Sequence, residues 1–166
     1  MIIIEGPDNV GKTTAAEGLA RFMGEPWHRI HMSKPADDFD YFRDYMERFE
    51  SNAVYDRFHF GGLIYGHLLG LHPESLTPRR FDILCRYLRW RRTLVIVMVD
   101  GDSEGYRAHL GGKEEMFDVE MLCEANQLFQ QVCGTHPFVD YYHDISRSGY
   151  PGEGSFKLWR RMHDGL

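Results

Sequence analysis

Short apolar runs alternate along this chain with longer amphipathic ones. Residues 1–5 contain three successive isoleucines, Ile2, Ile3 and Ile4, a pattern that predicts a strand buried on both faces. Residues 12–23 place Ala15, Leu19 and Phe22 near helical spacing. Residues 27–32 predict a second strand. Residues 37–49 set Phe39, Phe42, Tyr45, Met46 and Phe49 on one helical stripe, and residues 52–55 form a short strand running into Asp56-Arg57. Residues 58–71 predict a helix despite Gly61 and Gly62. Thr77-Pro78 reads as an N-cap followed by proline at the first helical position, opening a helix to about Arg92 with Phe81, Leu84 and Leu88 inward. Residues 93–99 are the clearest buried strand, ending at Asp100. An amphipathic helix at 114–133, a final strand at 138–143 and a terminal helix at 156–163 complete the pattern, with 146–155 the most loop-like stretch.

Strands alternating with helices predict an α/β fold with a mainly parallel sheet. Such sheets bind ligands beyond the carboxyl ends of their strands. Three polar clusters fall there: the loop after Glu5, Asp56-Arg57, and Asp100. Neither a repeat nor a linker divides the 166 residues, so one domain over 1–166 is expected. The formal net charge of −6 argues against a protein that coats nucleic acid, although a local basic patch on an acidic body is compatible with it. Three cysteines, Cys85, Cys123 and Cys133, are odd in number and lack CxxC spacing, so a reducing cytoplasm fits. The histidines show no metal-site spacing. The chain enters a strand at once, unlike a signal peptide, and the apolar run 94–99 is too short for a bilayer, so no membrane association is expected.

Residues 6–13, Gly-Pro-Asp-Asn-Val-Gly-Lys-Thr, match G-x-x-x-x-G-K-T between a predicted strand and a predicted helix. In such a P-loop, glycines let backbone N–H groups turn toward phosphate oxygens, and the following helix presents its positive end. Gly6, Asn9, Val10, Gly11, Lys12, Thr13 and Thr14 are therefore the candidate ATP-binding residues. Lys12 is expected to reach the β- and γ-phosphates and Thr13 to ligate Mg²⁺. No N-K-x-D guanine-reading sequence occurs, and the length leaves little room for a motor or translocase. A small-substrate kinase is the leading class.

At this point the sequence resembles the thymidylate kinase-like branch of nucleotide and nucleoside kinases. Ile3-Ile4-Glu5-Gly6-Pro7-Asp8 followed by Gly11-Lys12-Thr13-Thr14 is similar to that family's strand and loop. Asp56-Arg57-Phe58 with Tyr65-Gly66 resembles its Asp-Arg-Tyr motif and the helix behind it, and residues 93–100 resemble the strand before its lid. Compact forms of this kind are familiar among bacteriophage kinases. The resemblance implies a three-layer sandwich with about five parallel strands flanked by helices, and ATP and Mg²⁺ as cofactors. It implies that Asp8 faces the acceptor near its sugar hydroxyl, Asp56 sits by Mg²⁺, and Arg57 grips the acceptor phosphate or the transferring group. It also implies a catalytic cation from the loop or from a mobile lid. Asn9 and Val10 offer none, so a lid near 107–116 is expected to supply it, from Arg107 or Lys113, with Gly111-Gly112 as a hinge. Homodimers, common in the family, are a further implication.

The sequence departs from the family where the base is read. Gly61 stands near a usual serine and Gly66 where a glutamine is usual, so the pocket is wider or reads another base. Lys34 and Arg43 are candidate acceptor-phosphate contacts, and Phe39, Phe42, Phe58, Phe60 or Tyr65 candidate stacking residues. Arg79, Arg80, Arg86, Arg89, Arg91 and Arg92 crowd one helix, as a solvated face paired with acids or as a phosphate-contacting surface. The expected activity is ATP-dependent phosphorylation of a deoxypyrimidine nucleotide. The alternatives are a kinase for the hydroxymethyl group of 5-hydroxymethyluracil in phage DNA, where Asp8, Glu5 or Asp56 would serve as base, and a non-catalytic nucleotide-binding module.

Overall fold

A strand flanked by neighbours and covered on both faces must be apolar throughout, whereas an edge strand need not be. The computed structural model, which describes residues 1–32, 40–70, 76–110 and 117–166, follows that rule. Strands β1 (Ile2–Glu5), β3 (Ala53–Asp56) and β4 (Leu94–Val99) are buried at every position. Strands β2 (His28–His31) and β5 (Tyr141–Asp144), richer in polar residues, are partly exposed. The five pair in parallel in the order β2-β3-β1-β4-β5, putting the apolar strands at the centre.

Alternate side chains of the sheet build two cores. Ile3, Tyr55, Val95 and Val97 pack on α2 (Tyr41–Glu47), α3 (His59–Leu68) and α4 (Pro78–Trp90) through Tyr45, Phe60, Ile64, Phe81, Leu84 and Leu88. Ile2, Ile4, Val54, Ile96 and Met98 pack on α1 (Lys12–Met23), α5 (Ser103–Leu110) and α8 (Glu153–Asp164) through Ala16, Leu19, Tyr106, Leu110 and Trp159. Helix α6 (Val119–Cys133) serves both clusters, with Leu122 in one and Phe129 in the other. The result is the expected three-layer α/β sandwich with five parallel strands. Among the described residues no helix is long and apolar enough to cross a membrane.

Most expected elements appear, with ends set by capping. Helix α2 is shorter than 37–49 because the Asp40 carboxylate accepts from the Arg43 N–H at 3.0 Å and starts the helix there. Asp118 likewise accepts from the Met121 N–H at 2.7 Å, so α6 begins after the expected 114. Two segments differ in kind. The loop-like stretch 146–155 holds most of a short helix, α7 (Ile145–Ser148), and the start of α8. Helix α5 was not foreseen: Asp102 opens it by accepting from the Gly105 N–H at 3.0 Å, and buried Tyr106 and Leu110 seat it. The expected lid at 107–116 therefore begins as the last turn of a helix, while 111–116, with Gly111, Gly112 and Lys113, lies outside the described residues.

The start of α4 is as read from the sequence, with Thr77 Oγ1 accepting from the Arg80 N–H at 3.3 Å and Pro78 following. Thr77→Ala is expected to lower stability by about 1 kcal/mol, read as a lower urea midpoint at unchanged slope.

Candidate active site

The phosphate loop leaves β1 hard against β4. A Cβ at Gly6 would overlap the Met98 carbonyl, so only glycine lets the chain pass there. The loop then bends through two left-handed residues, Asn9 at φ 62° and Gly11 at φ 81°. Val10 is fully buried and anchors the loop from below, whereas Thr13 and Thr14 are exposed. Tyr150, on the approach to α8, lies across the loop: a Cβ on Gly11 would stand 2.9 Å from its ring. The Lys12 ammonium turns back into the loop, donating to the Pro7 carbonyl and standing 3.8 Å from Asp8 Oδ1. Burial brings its pKa down to about 8, with Asp8 opposing that shift.

Asp56, at the end of β3, is fully buried and gathers donors from two elements. Its Oδ2 accepts from Thr13 Oγ1 at 2.6 Å, His31 Nδ1 at 2.8 Å and Arg29 Nη1 at 3.3 Å. Burial alone would push this carboxyl up, but the bonds from Thr13 and His31, with the charge on Lys12, hold it below the usual carboxylate range. Its Oδ1 is buried with no hydrogen-bond partner among the described residues. A hydroxyl and a carboxylate with an unused oxygen are hard donors that fit Mg²⁺. No group of three or more His, Cys, Asp or Glu poised for a metal occurs among the described residues.

Asp8 joins the loop to its surroundings. Its carboxylate pairs with the Arg57 guanidinium, its N–H donates to Tyr65 Oη at 3.2 Å, and its carbonyl accepts from Tyr106 Oη at 2.6 Å. Arg57 adopts φ 71°, a conformation costing a non-glycine residue about 1–3 kcal/mol. Its backbone N–H is fixed on the Ile4 carbonyl at 2.9 Å, linking that conformation to β1.

Glu5 is also fully buried, but its oxygens are committed. They accept from the Phe60 N–H at 2.8 Å and the Gly61 N–H at 3.2 Å, at the positive end of α3. Burial pushes its carboxyl up to about 7 against those bonds. Gly61 therefore brings the backbone of α3 to Glu5, and a side chain there would begin 3.5 Å from Glu5 Oε2. His59, 3.6 Å from Glu5 and fully buried, is held neutral, its pKa brought down to about 3 by burial and then by His136.

The remaining candidates are scattered. Tyr65 stacks on Phe117 at 5.4 Å, with 16° between the rings. Phe58 and Phe60 are core residues, Phe58 packed on Tyr45 and Tyr55. Phe42 lies under the Arg80 guanidinium at 5.8 Å, and Arg43 pairs with Asp44 at 3.7 Å. Lys34 and Phe39 fall outside the described residues. Arg107 makes a two-pronged pair with Glu120 of α6, one bond at 2.7 Å. Along α4, Arg86 pairs with Asp82 and Arg89 with Asp140, each at 2.8 Å, while Arg91 stacks 3.7 Å from the Phe49 ring. Asp100 accepts from the Asp102 N–H at 3.0 Å and so shapes the turn into α5. Arg29, His31, Tyr106 and Tyr150 were not singled out from the sequence. For the first two a signal existed: they alternate on a strand, and the register sets His31 beside Asp56.

No protein-family model matches this sequence, and no curated protein matches it. The fold is similar to that of the YorR protein of Bacillus subtilis, crystallised in complex with phosphorylated GDP. The TM-score is 0.68 at 18% identity, over 97% of this chain and 92% of that one. At that identity the likeness establishes a shared fold.

The buried Glu5 gives a pH-dependence with a definite sign. Because its pKa in the folded chain is raised, its contribution to stability is fully present below 4.5 and is lost as pH rises through about 7. Glu5→Gln cannot titrate. The stability of the wild type relative to this variant is expected to fall by about 3 kcal/mol between pH values of about 4 and about 8, measured by urea unfolding across that range.

Proposed function

We propose that this chain is an ATP- and Mg²⁺-dependent phosphotransferase that moves the γ-phosphoryl group to a nucleotide, with a deoxypyrimidine nucleotide as the acceptor class. The observation that carries this reading is the meeting of Lys12, the Thr13–Asp56 pair and the Asp8–Arg57 pair at the carboxyl ends of β1 and β3. Residues 1–166 act in it as one domain, with 107–116 as a lid. The nucleotide held by the Bacillus subtilis neighbour supports the ligand class, and the resemblance to thymidylate kinases supports the acceptor.

Each residue has a task in this reading. The backbone of residues 6–14 and the start of α1 receive the triphosphate. Lys12 exchanges the Pro7 carbonyl for β- and γ-phosphate oxygens, and their charge offsets the burial that loosens its proton. Thr13, with Asp56 beside it, would hold Mg²⁺, which would supply positive charge against the triphosphate. Arg57 grips the acceptor phosphate in a planar, two-pronged contact, and Asp8 turns to the acceptor's sugar hydroxyl. Arg107, once released from Glu120, or Lys113 supplies the remaining positive charge. Tyr65 sets the wall of the acceptor site, while Phe58 packs behind it in the core. A phosphate acceptor is already ionised, so the transfer is mostly positioning and electrostatics, without a strong base. The commitment of Glu5 to the amides of α3 agrees with this.

Acting on 5-hydroxymethyluracil in DNA would call for exposed cations along the polymer. Arg86, Arg89 and Arg91 are paired with Asp82, Asp140 and the Phe49 ring yet stay exposed, so the labelling assay is what separates a free nucleotide from a polymer. The test offers γ-labelled ATP or GTP with nucleosides, pyrimidine and purine monophosphates, and DNA containing hydroxymethyluracil. Label is expected on a deoxypyrimidine monophosphate and is expected to vanish on chelation of Mg²⁺. Label confined to DNA would overturn the acceptor assignment. Lys12→Ala is expected to lose at least about 100-fold in kcat while keeping the far-UV spectrum of the wild type. Unchanged turnover would remove the loop from the mechanism.

A further inference from the structure

Helix α5 reaches the phosphate loop through one side chain. Tyr106 is 1% exposed, packed in the cluster that holds Leu110 and Leu122, and its hydroxyl donates to the Asp8 carbonyl at 2.6 Å across 98 residues of sequence. From the other side, Tyr65 of α3 accepts the Asp8 N–H at 3.2 Å. Burial raises the pKa of both phenols, so both are neutral.

Peptide planarity gives these two bonds a wider effect. In a trans peptide the carbonyl of one residue and the N–H of the next point in opposite directions. Tyr65, by holding the Asp8 N–H, fixes the Pro7–Asp8 plane and turns the Pro7 carbonyl toward Lys12, where the two are bonded. Tyr106, by holding the Asp8 carbonyl, fixes the Asp8–Asn9 plane and turns the Asn9 N–H away from α5, at the point where the loop enters its left-handed bend. Two successive planes of the loop are thus set by phenols from two helices, one behind Asp56-Arg57 and one leading into the lid segment.

We propose that Tyr106 is a positioning residue that sets the Asp8–Asn9 peptide for phosphate binding and ties the phosphate loop to helix α5. It rests on the phosphotransferase reading for its catalytic consequence, but its structural content is independent of nucleotide. Tyr106→Phe removes only the hydroxyl. Amide exchange of residues 8–11, measured without nucleotide, is expected to speed up about fivefold, the worth of one hydrogen bond, with β4 unchanged. In turnover, kcat/KM for the donor is expected to fall by about the same factor, with the KM for the acceptor unmoved. Unchanged loop exchange would overturn the proposal whatever the nucleotide data say. So would acceleration of β4 as large as that of the loop, or collapse of the fold, because the hydroxyl would then be supporting the core as a whole. Equal movement of donor and acceptor KM would also overturn it. Faster loop exchange in a protein that binds no nucleoside triphosphate would uphold the tie and sink the phosphotransferase reading alone.

Discussion

A carboxylate taken wholly out of water has to be surrounded by donors, and the arrangement around Asp56 follows from that need. Asp56 lies at the end of β3, between β1 and β2, and its donors among the described residues come from α1 and β2. Thr13 comes from the first turn of α1, and Arg29 and His31 come from the one face of β2 that the parallel register aligns with Asp56. The same contacts hold a poorly apolar strand at the sheet's edge and fix the helix that follows the phosphate loop. The edge of the sheet and the floor of the site are one network, so a change at β2 reaches Thr13 through Asp56.

One strand away, Glu5 solves the same problem differently. Both carboxylates are fully buried at strand ends, yet their protons move in opposite directions. Glu5 meets backbone amides of α3, and the burial cost dominates. Asp56 meets a hydroxyl, an imidazole and the field of Lys12, which together outweigh that cost. Environment thereby sorts two similar groups: Asp56 keeps its charge beside the phosphate loop, while Glu5 pins α3, the helix that carries Tyr65. Of the two, Asp56 is the one suited to an ion and its phosphates.

What was legible in the sequence was local. The loop motif, the Asp56-Arg57 pair and the Thr77-Pro78 start each lie within a few residues, so spacing alone carries their geometry. Helix α5 was missed because its eight residues, capped by Asp102, are too few and too polar to show a period. Tyr106 was missed because its partner lies 98 residues away. The aromatics after Arg57 show the limit from the other side. Their composition suits a base-stacking wall, but the direction each ring faces is decided by helices α2 and α4, which turn Phe58 and Phe60 inward against Tyr45 and Phe81.

The loop's lack of a cation has a structural basis that spacing did not disclose. Position 10 is fully buried beneath the loop, so a charged side chain there would have to be desolvated or the loop would have to lift. Position 9 takes a left-handed conformation, which asparagine tolerates better than arginine or lysine. Burial closes position 10 to a cation and the left-handed turn disfavours one at position 9, and among the described residues Lys12 within the loop and Arg57 beside it bring positive charge to Asp8. Asp8 in turn has its carbonyl held from α5 and its N–H from α3. A phosphate entering the loop would compete with a single carboxylate for both cations while the two tyrosines hold that residue's backbone in place. In the proposed phosphotransferase, that would make Asp8, rather than Lys12 alone, the point at which donor and acceptor demands on the loop meet.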